Sequence, residues 1–427
     1  MKKIFVLSWF YPPINSSESF VTFKLLSHSR FDYDVWTRGG SSDSVWDRKT
    51  NESRMESKNI TVIDGPSDMK SWLNGAYDYF VEHIEEYDCV MTRSMPPESH
   101  WIGRKIKENF PEIRWIASYG DPLVGTPYLR MDKHKNPYLL RRYIEDEQPS
   151  RLKTIKLALS PMRNAQKMIW KKKQRAVLDN IDYSSINDYT LKEADLVIVN
   201  NKYQLGHVFS GKYAGLRNKG LVVPHSFDEK LYPKVKNGKN KKITFSYTGH
   251  LDDIRNAQAL LVALDSLMER DPDLSRRIEV NFYGNLSDKD KLFIINHNLC
   301  DVVKLKGNIS YIESLGVMEE SDWLLLFDAN FNEEMKENIY FPAKLVDYIG
   351  SYSNIMAITQ IEGASADIVR EIGGVVCTHS KDEIEMCLSK IIYKKYKPAE
   401  MRKDKRKTYE SKFVARILDS RTEELLR

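Results

Sequence analysis

At 427 residues the chain is longer than one hydrophobic core usually serves, so two domains are expected, and its 41% hydrophobic content supports ordinary globular folding. A net charge of +5 is small for this length and does not argue for nucleic acid or another polyanion as partner. Cys89, Cys300, Cys377 and Cys387 lie far apart without a Cys-x-x-Cys pair, so neither a zinc site nor a disulfide framework is indicated and a reduced, cytoplasmic setting fits.

The chain opens with Lys2-Lys3 and the apolar run Ile4 to Phe10, a faint imitation of a signal peptide. That run is short, is broken by Ser8 and is closed by Pro12-Pro13 without a small-residue cleavage site, so it reads as a first strand, Ile4–Ser8. No apolar run approaches the roughly 20 residues of a membrane-spanning helix, so any membrane association is expected to be peripheral. Further strands are expected at Tyr33–Trp36, Ile60–Ile63, Cys89–Met91, Trp115–Ser118, Leu196–Val199 and Leu221–Val223. They alternate with amphipathic segments, which implies parallel βαβ units. After the fifth strand, ASYGDPLVGTPY places Asp121 before Pro122, a turn signal and also a candidate polar contact.

Arg151 to Arg175 carries nine Lys or Arg and no acid, interleaved with Leu152, Ile155, Leu157, Met162, Met168 and Trp170. That is the pattern of a helix pair lying on an anionic membrane, where each cation contributes about 1 kcal/mol. A solvated basic helix and a nucleic-acid arm are the competing readings. From Asp228 to Lys242, Pro233, Gly238 and a run of lysines suit a hinge linker, with the domain boundary near residue 230.

The strand pattern restarts at Ile243–Tyr247 and continues through Glu279–Tyr283, Val302–Leu305, Trp323–Phe327, Asn354–Ile358 and Val375–Cys377. In FSYTGHLDDIRNA the first of these strands ends at Gly249, and a helix of period Ala259, Leu260, Ala263, Leu264, Leu267 follows, with Arg255 at its mouth. Open N–H groups at a helix start favour a phosphate, and a guanidinium adds a fork of donors matched to its oxygens. In NIYFPAKLVDYIG, Pro342 marks the first turn of a second helix, Lys344 adds a positive charge, and Asp347 is placed to accept hydrogen bonds from a ribose diol. The competing reading is an ordinary amphipathic helix with Lys344 and Asp347 solvated.

These motifs, in this order, resemble retaining glycosyltransferases of the GT-B architecture, particularly family 4-like members of bacterial surface-polysaccharide assembly. That family's usual pattern is Gly-Arg-Leu, three residues, Lys-Gly. Gly249 and Leu251 fall on its Gly and Leu, Arg255 falls on its Lys, and His250 replaces its Arg. The family's Glu, seven residues, Glu signature places the second acid at Asp347 and the first at Ile339, which is not acidic; Glu337 lies just upstream. The Lys306 to Asp328 run resembles the remaining donor-domain landmarks, with Asn308 and Ile309 in the nucleobase loop and Asp322 structural. SWFYPPINSSESF resembles the family's Pro-Pro-x-x-Gly-Gly loop, with Ser16 and Ser17 where the glycines usually stand, and VVPHSFD resembles the segment after the last strand of the first domain.

The implied fold is α/β of the GT-B class, two Rossmann-like domains facing a cleft: an acceptor domain over 1–229 with a basic insert at about 129–190, a nucleotide-sugar domain over 230–404, and a helix over 405–427 packing back on the first domain. The resemblance assigns Arg255, Lys344, Asp121 and Glu337 to catalysis. It assigns Gly249, His250, Asn308, Ile309, Phe341, Pro342, Ala343 and Asp347 to the donor, and Asn15, Ser16, Ser17 and His225 to the acceptor. It implies no metal and no cofactor beyond the substrate, a nucleoside-diphosphate sugar with UDP as the expected nucleotide. The implied reaction moves a sugar, with retention, to a lipid-linked or polysaccharide acceptor of capsule, exopolysaccharide or O-antigen, at the inner face of the cell membrane. Nucleic acid is not an expected partner. The alternative is a catalytically silent glycosyltransferase-like subunit that binds a partner enzyme or glycan, motivated by His250, Ile339 and the two serines.

Overall fold

A computed structural model of the chain describes residues 2–14, 16–39, 56–125, 183–234, 241–252, 254–332, 334–393 and 402–427. Its described residues form two compact units, one holding the chain up to Pro224 together with Ala415–Arg427 and the other His225–Val414. Asn15 and the basic stretch 151–175 lie outside the described residues.

The first unit is built on seven parallel strands: β1 (Lys3–Leu7), β2 (Asp32–Arg38), β3 (Ile60–Gly65), β4 (Cys89–Arg93), β5 (Arg114–Ser118), β6 (Leu196–Val199) and β7 (Gly220–Val222), in the order β3-β2-β1-β4-β5-β6-β7. The second holds six: β8 (Ile243–Thr248), β9 (Ile278–Tyr283), β10 (Val303–Gly307), β11 (Trp323–Phe327), β12 (Asn354–Ile358) and β13 (Val375–Cys377), in the order β10-β9-β8-β11-β12-β13. Every expected strand forms, and the α/β class with two parallel sheets is the one observed. Crossover helices cover both faces of a parallel sheet, so its strands are apolar throughout. The WLLLF of β11 and the LVIV of β6 are buried end to end. The helix Gln258–Arg270 buries Leu260, Leu261, Ala263, Leu264 and Leu267 against Phe245, Val280 and Phe282. Trp36, Trp72 and Trp115 anchor the other core. In both sheets the strand order reverses beside the first strand, between β1 and β4 and between β8 and β11. Ligands of such sheets collect outside the carboxyl ends at that reversal.

The described chain departs from the expected boundaries in two places. Residues 228–232 are not a free linker. Leu231 and Tyr232 are buried, the Tyr232 hydroxyl donates to the Asp347 carbonyl (2.6 Å), and the Phe227 N–H donates to the Tyr409 carbonyl (3.0 Å), so the second unit begins at His225. The two apolar residues in that polar run carry it into the core. At the other end the chain makes two helices, Lys403–Lys407 and Ser411–Leu425. The buried stripe of the second is Val414, Ala415 and Leu418, while Phe413 and Ile417 are exposed. From Ala415 onward this helix belongs to the first unit, where the Asp419 carboxylate accepts from the Ser29 hydroxyl (2.5 Å) and the Arg30 N–H (3.1 Å).

Candidate functional site

Three adjacent strands of the second sheet, β8, β9 and β10, run into glycines with positive φ: Gly249 (+137°), Gly284 (+129°) and Gly307 (+75°). The Gly249 N–H donates to the Tyr283 carbonyl (2.7 Å) and the Gly284 N–H to the Gly307 carbonyl (2.8 Å), so the strand ends knit into one low rim. A Cβ on Gly284 would strike the Gly249 carbonyl, and a Cβ on Gly249 would strike the Lys344 ammonium. Glycine is therefore needed at 249 both for its backbone angle and for the space it leaves a cation.

Lys344 comes from the helix Ala343–Ser351. Pro342 stands at its N-cap, one position before the expected first turn, and makes no side-chain capping hydrogen bond among the described residues. The first N–H groups of a helix lack intrahelical acceptors, and the helix dipole there favours negative charge. The half-buried Lys344 ammonium donates to the Tyr247 hydroxyl (2.6 Å) and lies 4.0 Å from the centre of the Tyr247 ring. Burial first, and the nearby Arg255 charge second, push its pKa down to about 7.

Arg255 sits in a turn three residues before the helix Gln258–Arg270, rather than in the helix mouth itself. The Asp252 carboxylate shapes that turn by accepting the N–H groups of Ile254 (2.9 Å) and Arg255 (2.7 Å), with the guanidinium 3.5 Å away. At the end of β11, on the other side of the reversal, Asp328 is buried and accepts the Thr359 hydroxyl (2.9 Å). Burial pushes the Asp328 pKa up, against the pull of Arg255 and His379. Two cations close enough to perturb each other form a site whose charge an anion neutralises.

The other expected donor residues belong to the same unit. His250 is exposed, its carbonyl accepting the Tyr247 hydroxyl (3.1 Å) and its Nδ1 facing the Asn285 N–H (3.3 Å). Asn308 is exposed and Ile309 half-buried directly after Gly307. Phe341 is buried, as is Asp347, whose carboxylate accepts the Tyr311 hydroxyl (2.9 Å). The amphipathic-helix reading expects both side chains in solvent; Asp347 is buried and Lys344 half-buried. Ile339 is buried, and Glu337 is exposed two residues earlier.

In the first unit, Ser16 caps the helix Ser17–Leu26 by accepting the Ser19 N–H (3.1 Å), and Ser17 is exposed in its first turn. Asp121 is half-buried, and the loop after it, Pro122 to Gly125, walls a cavity of about 200 Å³ with Asn187, His207 and Tyr213. His225, expected on the acceptor side, belongs to the second unit, where its ring lies 5.3 Å from that of Phe341. Sequence reasoning missed a polar group at the carboxyl edge of the first sheet. The buried Arg93 at the end of β4 pairs with Glu18 (3.2 Å) and donates to the Ser118 hydroxyl (3.2 Å). The available signal was an arginine closing an otherwise apolar strand. Tyr247 and Asp328 were likewise missed, the first being read as a strand residue and the second only as the end of the Lys306 to Asp328 run.

No protein-family model matches the chain, and no curated protein matches it by sequence. Solved structures do match. HepE of Anabaena, in complex with UDP, superposes with a TM-score of 0.62 at 12% identity over 100% of this chain and 99% of its own. The sucrose-phosphate synthase of Thermosynechococcus elongatus gives 0.61 at 14% identity over the same shares. WaaB, a lipopolysaccharide outer core galactosyltransferase in its apo form, gives 0.59 at 11% identity over 100% of both chains. The fold is GT-B. These are likenesses of the whole chain, so both parallel units, and not one Rossmann-like half alone, carry the resemblance.

Proposed function

We propose that the protein is a retaining glycosyltransferase that moves a sugar from a nucleoside-diphosphate sugar, with UDP as the nucleotide, to a lipid-linked or polysaccharide acceptor in bacterial cell-surface glycan assembly. The observation that carries this reading is the Lys344 ammonium seated at Gly249 within the field of Arg255, in the first turn of its helix. A departing diphosphate gathers negative charge, and preorganised cations with aligned N–H groups stabilise it most where that charge develops. HepE has been crystallised with UDP and with UDP-glucose, which supports the donor class, and the lipopolysaccharide role of WaaB supports the acceptor class. The proposal needs no metal or separate cofactor. The stretch 151–175 is assigned to an anionic membrane surface at the inner face of the cell membrane, and replacing Lys171, Lys172 and Lys173 by Glu should reduce binding to anionic liposomes.

Calorimetric titration with UDP, UDP-glucose and UDP-galactose, followed by transfer assays, tests the reading. Arg255→Ala and Lys344→Ala should each weaken UDP binding by roughly tenfold or more and abolish transfer. Full activity in both variants would defeat the donor assignment. A second reading, a catalytically silent subunit, draws on the buried apolar Ile339 where the family carries an acid. Tight nucleotide-sugar binding without hydrolysis or transfer would favour it.

A further inference from the structure

We infer that Tyr247 is a positioning residue for the donor, its hydroxyl and ring holding the Lys344 ammonium over Gly249 where a diphosphate is to be met. The inference rests on the diphosphate reading of that site and names a residue through which it works. Tyr247 is the penultimate residue of β8 and is fully buried. Its ring is wedged edge-on against Phe327 (centroids 5.2 Å apart) and tilted against Phe282 (6.2 Å), which denies it another rotamer. Its single proton goes to the His250 carbonyl (3.1 Å). What it turns towards Lys344 is therefore a lone pair, which accepts from Nζ at 2.6 Å, and an aromatic ring 4.0 Å from the charge.

Lysine has a long, flexible stem, and ordering it at the moment of binding weakens a ligand's hold. Here the Tyr247 hydroxyl and ring hold its end in place. Among the described residues, the charged and titratable groups facing the ammonium are Tyr247 from β8, Asp252 and Arg255 from the turn that follows, Asp328 at the end of β11, and Asp347 on its own helix. Burial and Arg255 disfavour the charged amine, and the tyrosine lone pair favours it without adding a negative charge that would repel a diphosphate. Asp328 or Asp347 moved into hydrogen-bond reach would hold the lysine as well but would oppose the ligand. A neutral acceptor meets both demands.

The test is Tyr247→Phe, which keeps the ring and removes the lone pair. UDP is titrated into the wild type, Tyr247→Phe and Lys344→Ala between about pH 6 and about pH 9. The expected result is a Tyr247→Phe affinity roughly tenfold below wild type near the alkaline end, with the ratio closing towards the acid end where the amine recharges. Lys344→Ala should stay weak throughout. Wild-type affinity at every pH in Tyr247→Phe, with Lys344→Ala weakened, would overturn the inference and leave the diphosphate reading standing. Undiminished binding by Lys344→Ala would remove that reading and the inference together. Competitive acetylation of Lys344 in the unliganded proteins, read by peptide mass spectrometry, follows the amine directly. Its titration midpoint should move to lower pH in Tyr247→Phe, and an unmoved midpoint would count against the positioning role.

Discussion

At Gly249 the absence of one methyl group makes room for the Lys344 ammonium, and a Gly249→Ala variant should show it. The new Cβ meets Nζ, and the backbone at φ +137° disfavours any side chain. UDP affinity should fall by roughly tenfold or more, since hydrogen bonds to a charged group are among the stronger ones. A second prediction concerns pH. Burial and the Arg255 charge hold the Lys344 pKa down to about 7, and a diphosphate beside it would raise that value, so binding takes up a proton. UDP affinity is then highest below about 7 and declines as pH rises through it, by at most tenfold per unit, as calorimetry in buffers of different ionisation heat would show. Arg255 and Lys344 stood out in the sequence because a glycine turn or a proline precedes each. Tyr247 and Asp328 did not, since a polar residue at the end of an apolar strand looks the same whether it faces a helix or a ligand.

Elements were the most legible scale, because strands that are buried on both faces leave unbroken apolar runs. What periodicity left unsaid was which short polar segments are fastened down. Asp252 bonds three groups of its own turn, and Ser310 closes a capping box with Glu313 at the start of the helix Tyr311–Glu320, directly after Asn308 and Ile309. Ser310→Ala removes one half of that box and should destabilise the second unit by about 1 kcal/mol, measurable as a lower urea midpoint with an unchanged slope. The stripe on the helix Ser411–Leu425 was only partly legible. Phe413 and Ile417 carry the apolar signal yet face solvent, and Ala415, which carries little, is wholly buried.

For the whole molecule, the return of Ala415–Arg427 to the first unit makes the two ends of the sequence depend on one another. Asp419→Ala strips the acceptor from the Ser29 hydroxyl and the Arg30 N–H in a partly buried setting. It should cost about 1–3 kcal/mol, seen as a lower melting temperature in differential scanning calorimetry. An unchanged melting temperature would mean that this end contributes nothing to the first unit's stability.

The amino-acid sequence by itself determined the strands, the two-sheet α/β class and the glycine and proline punctuation, because backbone propensity and apolar periodicity are local properties. Tertiary structure decided which side chains meet. It brought Tyr247 to Lys344 from 97 positions away in the chain and joined Glu18 to Arg93. It also took His225 into the second unit and put Asp347 under Tyr311. Such pairings depend on strand order and on the packing of helices over the sheet, and neither is written in the spacing of residues along one segment.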